Sequence, residues 1–309
     1  MAYYLGIDGG GTKTRCVLAD ETTILATSVS GGSNIVRLGE AAVREGLHTA
    51  VKHACATAKI SPLQIQAVCI GAAGAARQDV ATKIRGLLVE LNPKQHIEVV
   101  GDTVIALEAA FGSGPGVIAI AGTGSIVYGR DGTGFTARAG GWGFAISDEG
   151  SGHWIGRQAI ADLLRARDEA RETALASLIL EAWKLHSIDA LIQCANATPP
   201  PEFPRLFPVV LHAADAGDAV ARDVLARAGI ELARLAGIVV RRIAPKAPYV
   251  PVAMTGSVFR QSAEVRTVFY NHLDAGFPGI KLLSDFADPA LGALALARTT
   301  GYQSDKNRD

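Results

Sequence analysis

The chain has 309 residues, 49% of them hydrophobic and 19% charged, with 30 basic and 30 acidic side chains. That length suits two domains, each with a sizeable core, and the apolar content excludes a disordered chain. A formal net charge of zero excludes a general electrostatic pull toward nucleic acid or anionic lipid, so binding has to happen at a local site.

Residues 3–7 read as a short buried strand, Asp8-Gly9-Gly10-Gly11-Thr12-Lys13 as a turn, and 14–19 as a second strand. The Rossmann fingerprint and the P-loop both need a helix directly after their glycines, and here a strand follows. Gly6 and Gly11 have Walker spacing, yet Thr12 stands where that motif requires lysine. Helical periodicity covers 40–58, 80–91 and 103–111, with strands at 67–70 and 97–100, and such alternation predicts an α/β layer fold. The opening pattern then returns. Residues 117–121 are an apolar strand, Gly122-Thr123-Gly124-Ser125 a turn, and 126–128 a further strand, so a strand, Gly/Thr turn, strand unit occurs twice. The uncharged stretch 109–129 is long enough for a membrane span, but its six glycines and Pro115 make it a loop between strands, and no membrane partner is expected. Residues 151–167 are helical, 199–201 form a proline break, and 218–243 form an amphipathic helix with a core stripe of Leu225, Ala228, Leu232, Leu235, Val239 and Ile243. A strand at 250–254 runs into Thr255-Gly256-Ser257, and an Ala/Leu-rich helix starting at Pro289 closes the chain.

Cys16, Cys55, Cys69 and Cys194 are widely spaced with no CxxC pair, which reads as structural thiols in a reducing compartment. The first residues show no basic segment followed by an apolar run, so no signal peptide is read and a cytoplasmic protein is expected.

Glycine turns let backbone N–H groups approach a polyphosphate closely, and threonine hydroxyls add donors. Gly9, Gly10, Gly11 and Thr12 form one such cradle; Gly122, Thr123, Gly124 and Ser125 form another. Asp8 ends a buried strand, where a carboxylate wants a partner: a hydrated Mg²⁺, or simply the turn amides. Asp102 precedes a helix and is either its N-cap or a general base for an attacking hydroxyl. Residues 140–151, Gly-Gly-Trp-Gly-Phe-Ala-Ile-Ser-Asp-Glu-Gly-Ser, combine glycines, an aromatic and adjacent carboxylates, a set that suits a sugar. The alternative is structural, with Trp142 in the core and Ser147 or Asp148 capping the next helix.

Taken in order, Asp8 to Thr14, Gly31-Gly32-Ser33-Asn34, Gly101-Asp102, Ala121 to Ser125, Gly140 to Gly143, Asp148 to Ser151 and Thr255 to Ser257 closely resemble the N-acetylglucosamine kinase branch of the BadF/BadG/BcrA/BcrD ATPase family. The resemblance implies two ribonuclease-H-like (actin-like ATPase) lobes with an interlobe cleft, the first taking residues 1–108 and the helix 288–302, the second 109–287. It implies ATP and Mg²⁺ as cofactors, with Asp8, Gly10, Gly11, Thr12, Lys13, Gly122, Thr123 and Gly124 at the phosphates, Asp8 reaching the metal through water, and Gly256 and Ser257 at the adenosine. Asp102 becomes the catalytic base, and Asn34, Asp102, Gly140, Gly141, Trp142 and Asp148 hold an amino sugar, whose 6-hydroxyl is the expected acceptor. Relatives of this kind are often homodimers. After Asn34 the chain has Ile35-Val36 where the animal enzymes carry an aromatic, which reshapes the sugar pocket. Two rival functions remain at this stage. An ATPase activator of a dehydratase needs an iron–sulfur cluster held by suitably placed cysteines, and a sugar-responsive regulator without catalysis usually needs a DNA-reading module, for which the strand at residue 3 leaves no room.

Overall fold

The structure, a computed structural model, describes residues 2–244 and 249–306, with side chains described as far as Gly301. It divides into two compact units, Met1–Pro115 with Phe286–Asp309, and Gly116–Asp285.

The first unit runs β1 (Tyr3–Gly9), β2 (Lys13–Ala19), β3 (Ile24–Gly31), α1 (Ile35–Leu38), α2 (Glu40–Ala58), β4 (Ile65–Ala72), α3 (Gln78–Val89), β5 (His96–Gly101) and α4 (Asp102–Phe111). Its sheet order is β3-β2-β1-β4-β5, with β1 to β3 antiparallel and β1, β4 and β5 parallel. Successive side chains point to opposite faces, and both faces are covered. Leu5, Ile7, Val68 and Ile70 pack against Val43, Leu47, Ile84 and Leu88 of α2 and α3. Tyr4, Val17, Ala67 and Cys69 pack instead against Ile105 of α4 and Ala290, Ala293 and Leu294 of the C-terminal helix Pro289–Lys306. Two buried faces explain why β1 and β4 read as continuous apolar runs rather than as alternation.

The C-terminal helix lies almost on the backbone of β1. A Cβ on Gly6 would stand 2.3 Å from the Leu294 nitrogen. Gly6 therefore serves helix packing, which accounts for its chance Walker spacing. Arg298 donates to the Asp20 carbonyl at 2.8 and 3.0 Å, fastening the same helix to the β2–β3 turn. Because Ile105 of α4 shares a core with this helix, the first unit keeps all of α4 and ends at Pro115, seven residues beyond the boundary expected at 108.

The second unit comprises β6 (Gly116–Ala121), β7 (Ser125–Arg130), β8 (Thr136–Gly140), α5 (Gly152–Asp168), α6 (Leu175–Trp183), α7 (Ile188–Ala195), α8 (Phe207–Asp215), α9 (Ala219–Ile243), β9 (Val250–Thr255), α10 (Ser257–Gln261), α11 (Ala263–Gly276) and β10 (Ile280–Leu282). Its sheet order, β10-β9-β6-β7-β8, repeats that of the first unit: an antiparallel meander whose first strand continues into two parallel neighbours. The two hairpins noted in the sequence are thus the first turns of two equivalent sheets. The stripe of α9 is buried throughout.

Cys16, Cys55 and Cys69 are buried. Burial pushes the Cys16 and Cys55 thiols up to about 12 and about 11, so they stay neutral at physiological pH. Among the described residues no helix is long and apolar enough to cross a membrane.

Two glycine substitutions separate close packing from backbone freedom. Gly6→Ala forces a methyl into the Leu294 backbone and should cost about 1–3 kcal/mol or more. Gly86→Ala, in the middle of α3 with open space around it, should gain about 0.5–1 kcal/mol. Urea midpoints of the two variants measure both.

Candidate active site

In the first unit β1, β4 and β5 end together: Gly9 is in register with Ala72, and Ala72 with Gly101. Open α/β sheets take their ligands at this carboxyl edge, where the ladder stops and the chain leaves in loops. Asp8 is the penultimate residue of β1 and Asp102 directly follows β5, two strands away. Both carboxylates therefore stand on one edge, their backbones about 10 Å apart by strand spacing.

Asp102 is the first residue of α4, not its N-cap. That position belongs to Gly101, which has no side chain to cap with, so the capping role considered for Asp102 does not hold. Its Oδ1 accepts the N–H of Thr103 at 2.9 Å. Burial pushes its pKa above the ordinary aspartate range, and the backbone donors of Thr103 and Asp102 pull back only part of that rise. Asp8 is half-buried and faces Arg15 across the β1–β2 ladder; Arg15 in turn pairs with Asp288 at 2.9 Å.

The first hairpin tip is tied down from below. The Gly10 N–H donates to the Lys13 carbonyl at 3.0 Å, and the Ser33 N–H donates to the Gly10 carbonyl at 2.9 Å. Thr14 Oγ1 donates to the Gly31 carbonyl at 2.6 Å and shares a short hydrogen bond with the Ser33 hydroxyl; both residues are fully buried. Arg37 reaches the Gly11 carbonyl at 3.5 Å. The carbonyls of the tip are thus turned into the protein. The N–H groups of Gly11 and Thr12 meet no acceptor among the described residues, and Thr12 and Lys13 are exposed. Asn34 sits beside this buttress, its Oδ1 accepting the Arg37 N–H at 3.2 Å as the N-cap of α1.

The second tip is tied down by a helix. Gly152 and His153, the first residues of α5, donate their N–H groups to the carbonyls of Gly122 and Thr123 at 2.8 and 3.2 Å. The Gly122 N–H closes on the Gly124 carbonyl at 2.9 Å, and the Ser125 hydroxyl donates to the Glu149 carbonyl at 2.7 Å. Among the described residues the N–H groups of Thr123 and Gly124 have no acceptor. Gly256, with φ +102°, comes so close that a Cβ would lie 2.1 Å from the Ala121 carbonyl oxygen, and Ser257 follows as the first residue of α10. Gly122, Thr123, Gly124, Gly256 and Ser257 accordingly meet at the carboxyl edge of β6 and β9.

Asp148 lies against this second tip. It is buried, adopts φ +65°, and places Oδ2 2.8 Å from where a Cβ on Gly124 would stand. Neither Ser147 nor Asp148 caps α5; Ser151 does, accepting the Trp154 N–H at 3.1 Å. Nor is Trp142 in the core, since it is 67% exposed. His153 is held between the rings of Phe144 and Phe203, with centroids 5.0 and 5.1 Å away.

Sequence reasoning missed the Thr14–Ser33 strut. Its trace was a threonine on the strand face otherwise taken by the apolar Cys16 and Leu18, paired with a serine just after two glycines.

The sequence model of the BadF/BadG/BcrA/BcrD ATPase family matches residues 5–297. The chain is 34% identical over 303 residues to an N-acetylmuramic acid/N-acetylglucosamine kinase of Clostridium acetobutylicum, covering 97% of this chain and 99% of that protein. It is 28% identical over 309 residues to an N-acetyl-D-glucosamine kinase of Dictyostelium discoideum, covering 95% and 97% of the two chains. A solved structure from Chromobacterium violaceum, described as a candidate N-acetylglucosamine kinase, is similar with a TM-score of 0.78 at 27% identity, covering 96% of this chain and 99% of that one.

The strut predicts a coupled pair. Thr14→Val should cost about 1–3 kcal/mol, because it takes away the partner of both the buried Ser33 hydroxyl and the Gly31 carbonyl, and Ser33→Ala about 0.5–1.5 kcal/mol, because the Thr14 hydroxyl keeps its bond to the Gly31 carbonyl. The double variant should cost less than the sum by at least about 0.5 kcal/mol. A double-mutant cycle by denaturant unfolding reads this coupling.

Proposed function

The chain belongs to the BadF/BadG/BcrA/BcrD ATPase family, and on that premise we propose that it is an ATP-dependent kinase phosphorylating an amino sugar, N-acetylglucosamine or glucosamine. One observation carries the reading: two equivalent sheets each end in a glycine hairpin whose carbonyls are bound inward while tip amides are left without acceptors. The substrate class is supported by relatives, named as kinases of amino sugars, that align along nearly the whole chain.

Phosphoryl transfer asks little covalent chemistry of the protein and much positioning. In this reading the amides of Gly11 and Thr12, and those of Thr123 and Gly124, donate to phosphate oxygens, with Gly10 and Lys13 shaping the first turn. Gly256 and Ser257 border the adenosine. Asn34, Gly140, Gly141, Trp142 and Asp148 hold the sugar. Asp102 accepts the proton of the attacking hydroxyl, which we assign as the 6-hydroxyl, and its raised pKa makes it a stronger base than an ordinary aspartate.

Asp8 fits a magnesium ion as a hard oxygen donor. Among the described residues no group of three or more metal-ligating side chains is assembled, and Mg²⁺ accepts that arrangement, since it typically takes one or two carboxylates plus phosphates and water. When bound, the ion would neutralise charge on the phosphates. We place the enzyme in the cytoplasm, where ATP is supplied and thiols stay reduced.

A coupled ADP-release assay over a panel of sugars tests the assignment. N-acetylglucosamine or glucosamine should raise ADP release well above the sugar-free rate; if no sugar does so, the kinase reading is wrong. Asp102→Asn should lower kcat by about 10²–10⁴-fold. It should not lower the melting temperature. Burial raises the folded-state pKa, so the folded chain holds its proton to higher pH than the unfolded chain, and the ionised carboxylate opposes folding at neutral pH. For the same reason kcat/KM should fall on the acid side at a pH above the ordinary aspartate range. Retained turnover with a lower melting temperature would make Asp102 structural only.

A further inference from the structure

We infer that Arg138 is a positioning residue of the sugar site, fixing the Gly140–Trp142 loop and offering one open face of Trp142 to the sugar ring; the inference rests on the kinase reading above. Arg138 lies on β8, paired with Tyr128 of β7. Two residues after it, Gly140 and Gly141 adopt φ +72° and +68°, two consecutive left-handed residues that fold the chain back over its own strand. Side chains could not replace them. A Cβ on Gly140 would stand 2.9 Å from Leu235, and one on Gly141 would stand 2.7 Å from Ile126.

That reversal aims both glycine carbonyls at Arg138, whose Nη2 donates to each at 3.3 Å. The same guanidinium lies over the Trp142 ring, Cζ 3.9 Å from the centroid, within the range of a cation–π contact. One planar cation thereby sets the turn and the indole plane together. A Lys ammonium cannot do both, because it is a compact point charge without a flat face or fork.

Two further observations point to a ligand rather than to folding. Trp142 remains 67% exposed although one face is stacked, so a large aromatic surface is held rigid yet open. Sugars bind such faces through their C–H edges. The Arg138 Nε is buried with no hydrogen-bond partner among the described residues, an arrangement that costs stability rather than adding it. A residue kept for packing alone would be better as an apolar side chain.

Steady-state kinetics of Arg138→Leu, with the full chain and N-acetylglucosamine, test this. The KM for the sugar should rise by about 10-fold or more, the KM for ATP should stay within about 2-fold, and the melting temperature should stay close to wild type. Arg138→Lys should not restore the sugar KM. An unchanged sugar KM overturns the proposal, as does a joint rise of both KM values with a lowered melting temperature. If the wild-type chain phosphorylates no sugar, the kinase reading fails separately, and tryptophan fluorescence under N-acetylglucosamine titration decides the Arg138 proposal. A saturable change present in wild type and lost in both Trp142→Ala and Arg138→Leu supports it; no change in wild type, or an equal change in Arg138→Leu, overturns it.

Discussion

Both sheets hold their first hairpin by its carbonyls. In one unit the donor to the Gly10 carbonyl is the Ser33 amide, on a loop locked by the buried Thr14–Ser33 pair. In the other, the first amides of α5 take the carbonyls of Gly122 and Thr123. Different donors impose the same constraint: a peptide whose C=O is bound inward must turn its N–H the other way. The phosphate-binding capacity proposed for the tips follows from that inward anchoring, with glycine permitting it and not causing it.

In the first unit, the edge that carries the hairpin tip also carries the proposed proton acceptor. Asp102 begins α4 where β5 ends, and the burial that raises its pKa makes it a better proton acceptor while making the folded state less stable at neutral pH. Such a conflict between stability and local chemistry is common at working sites. Asn34 is tied to the same buttress as the first tip, through Arg37, whose amide donates to the Asn34 side chain and whose guanidinium reaches the Gly11 carbonyl. A sugar contact at Asn34 and a phosphate contact at the tip would therefore move as one piece.

Much of this was legible from residues alone. The glycine turns, the helix Glu40–Ala58 and the stripe of α9 are strong local signals, because their pattern and their burial agree. The strands β3 and β8 were not read. Each lies at the edge of its meander, where β3 exposes Ile24, Leu25 and Val29 and carries polar residues at Thr27, Ser28 and Ser30, and β8 is only five residues long, so neither shows a buried apolar run. The Walker spacing of Gly6, set aside because Thr12 replaces the lysine, has a reason no local pattern shows, a helix nearly 290 residues further along the chain. Asp102 looked like a cap because aspartate often caps, but the helix begins one residue early. The roles of Ser33 and Arg138 depend on where backbone carbonyls point, which no residue pattern encodes.

The central claim is that tip amides meet the phosphates, and amide NMR of ¹⁵N-labelled protein titrated with a non-hydrolysable ATP analogue tests it most directly. The account predicts that the largest shifts fall on Gly11, Thr12, Thr123 and Gly124. Saturable nucleotide binding with these four resonances unmoved, and the large shifts elsewhere in the chain, would contradict it.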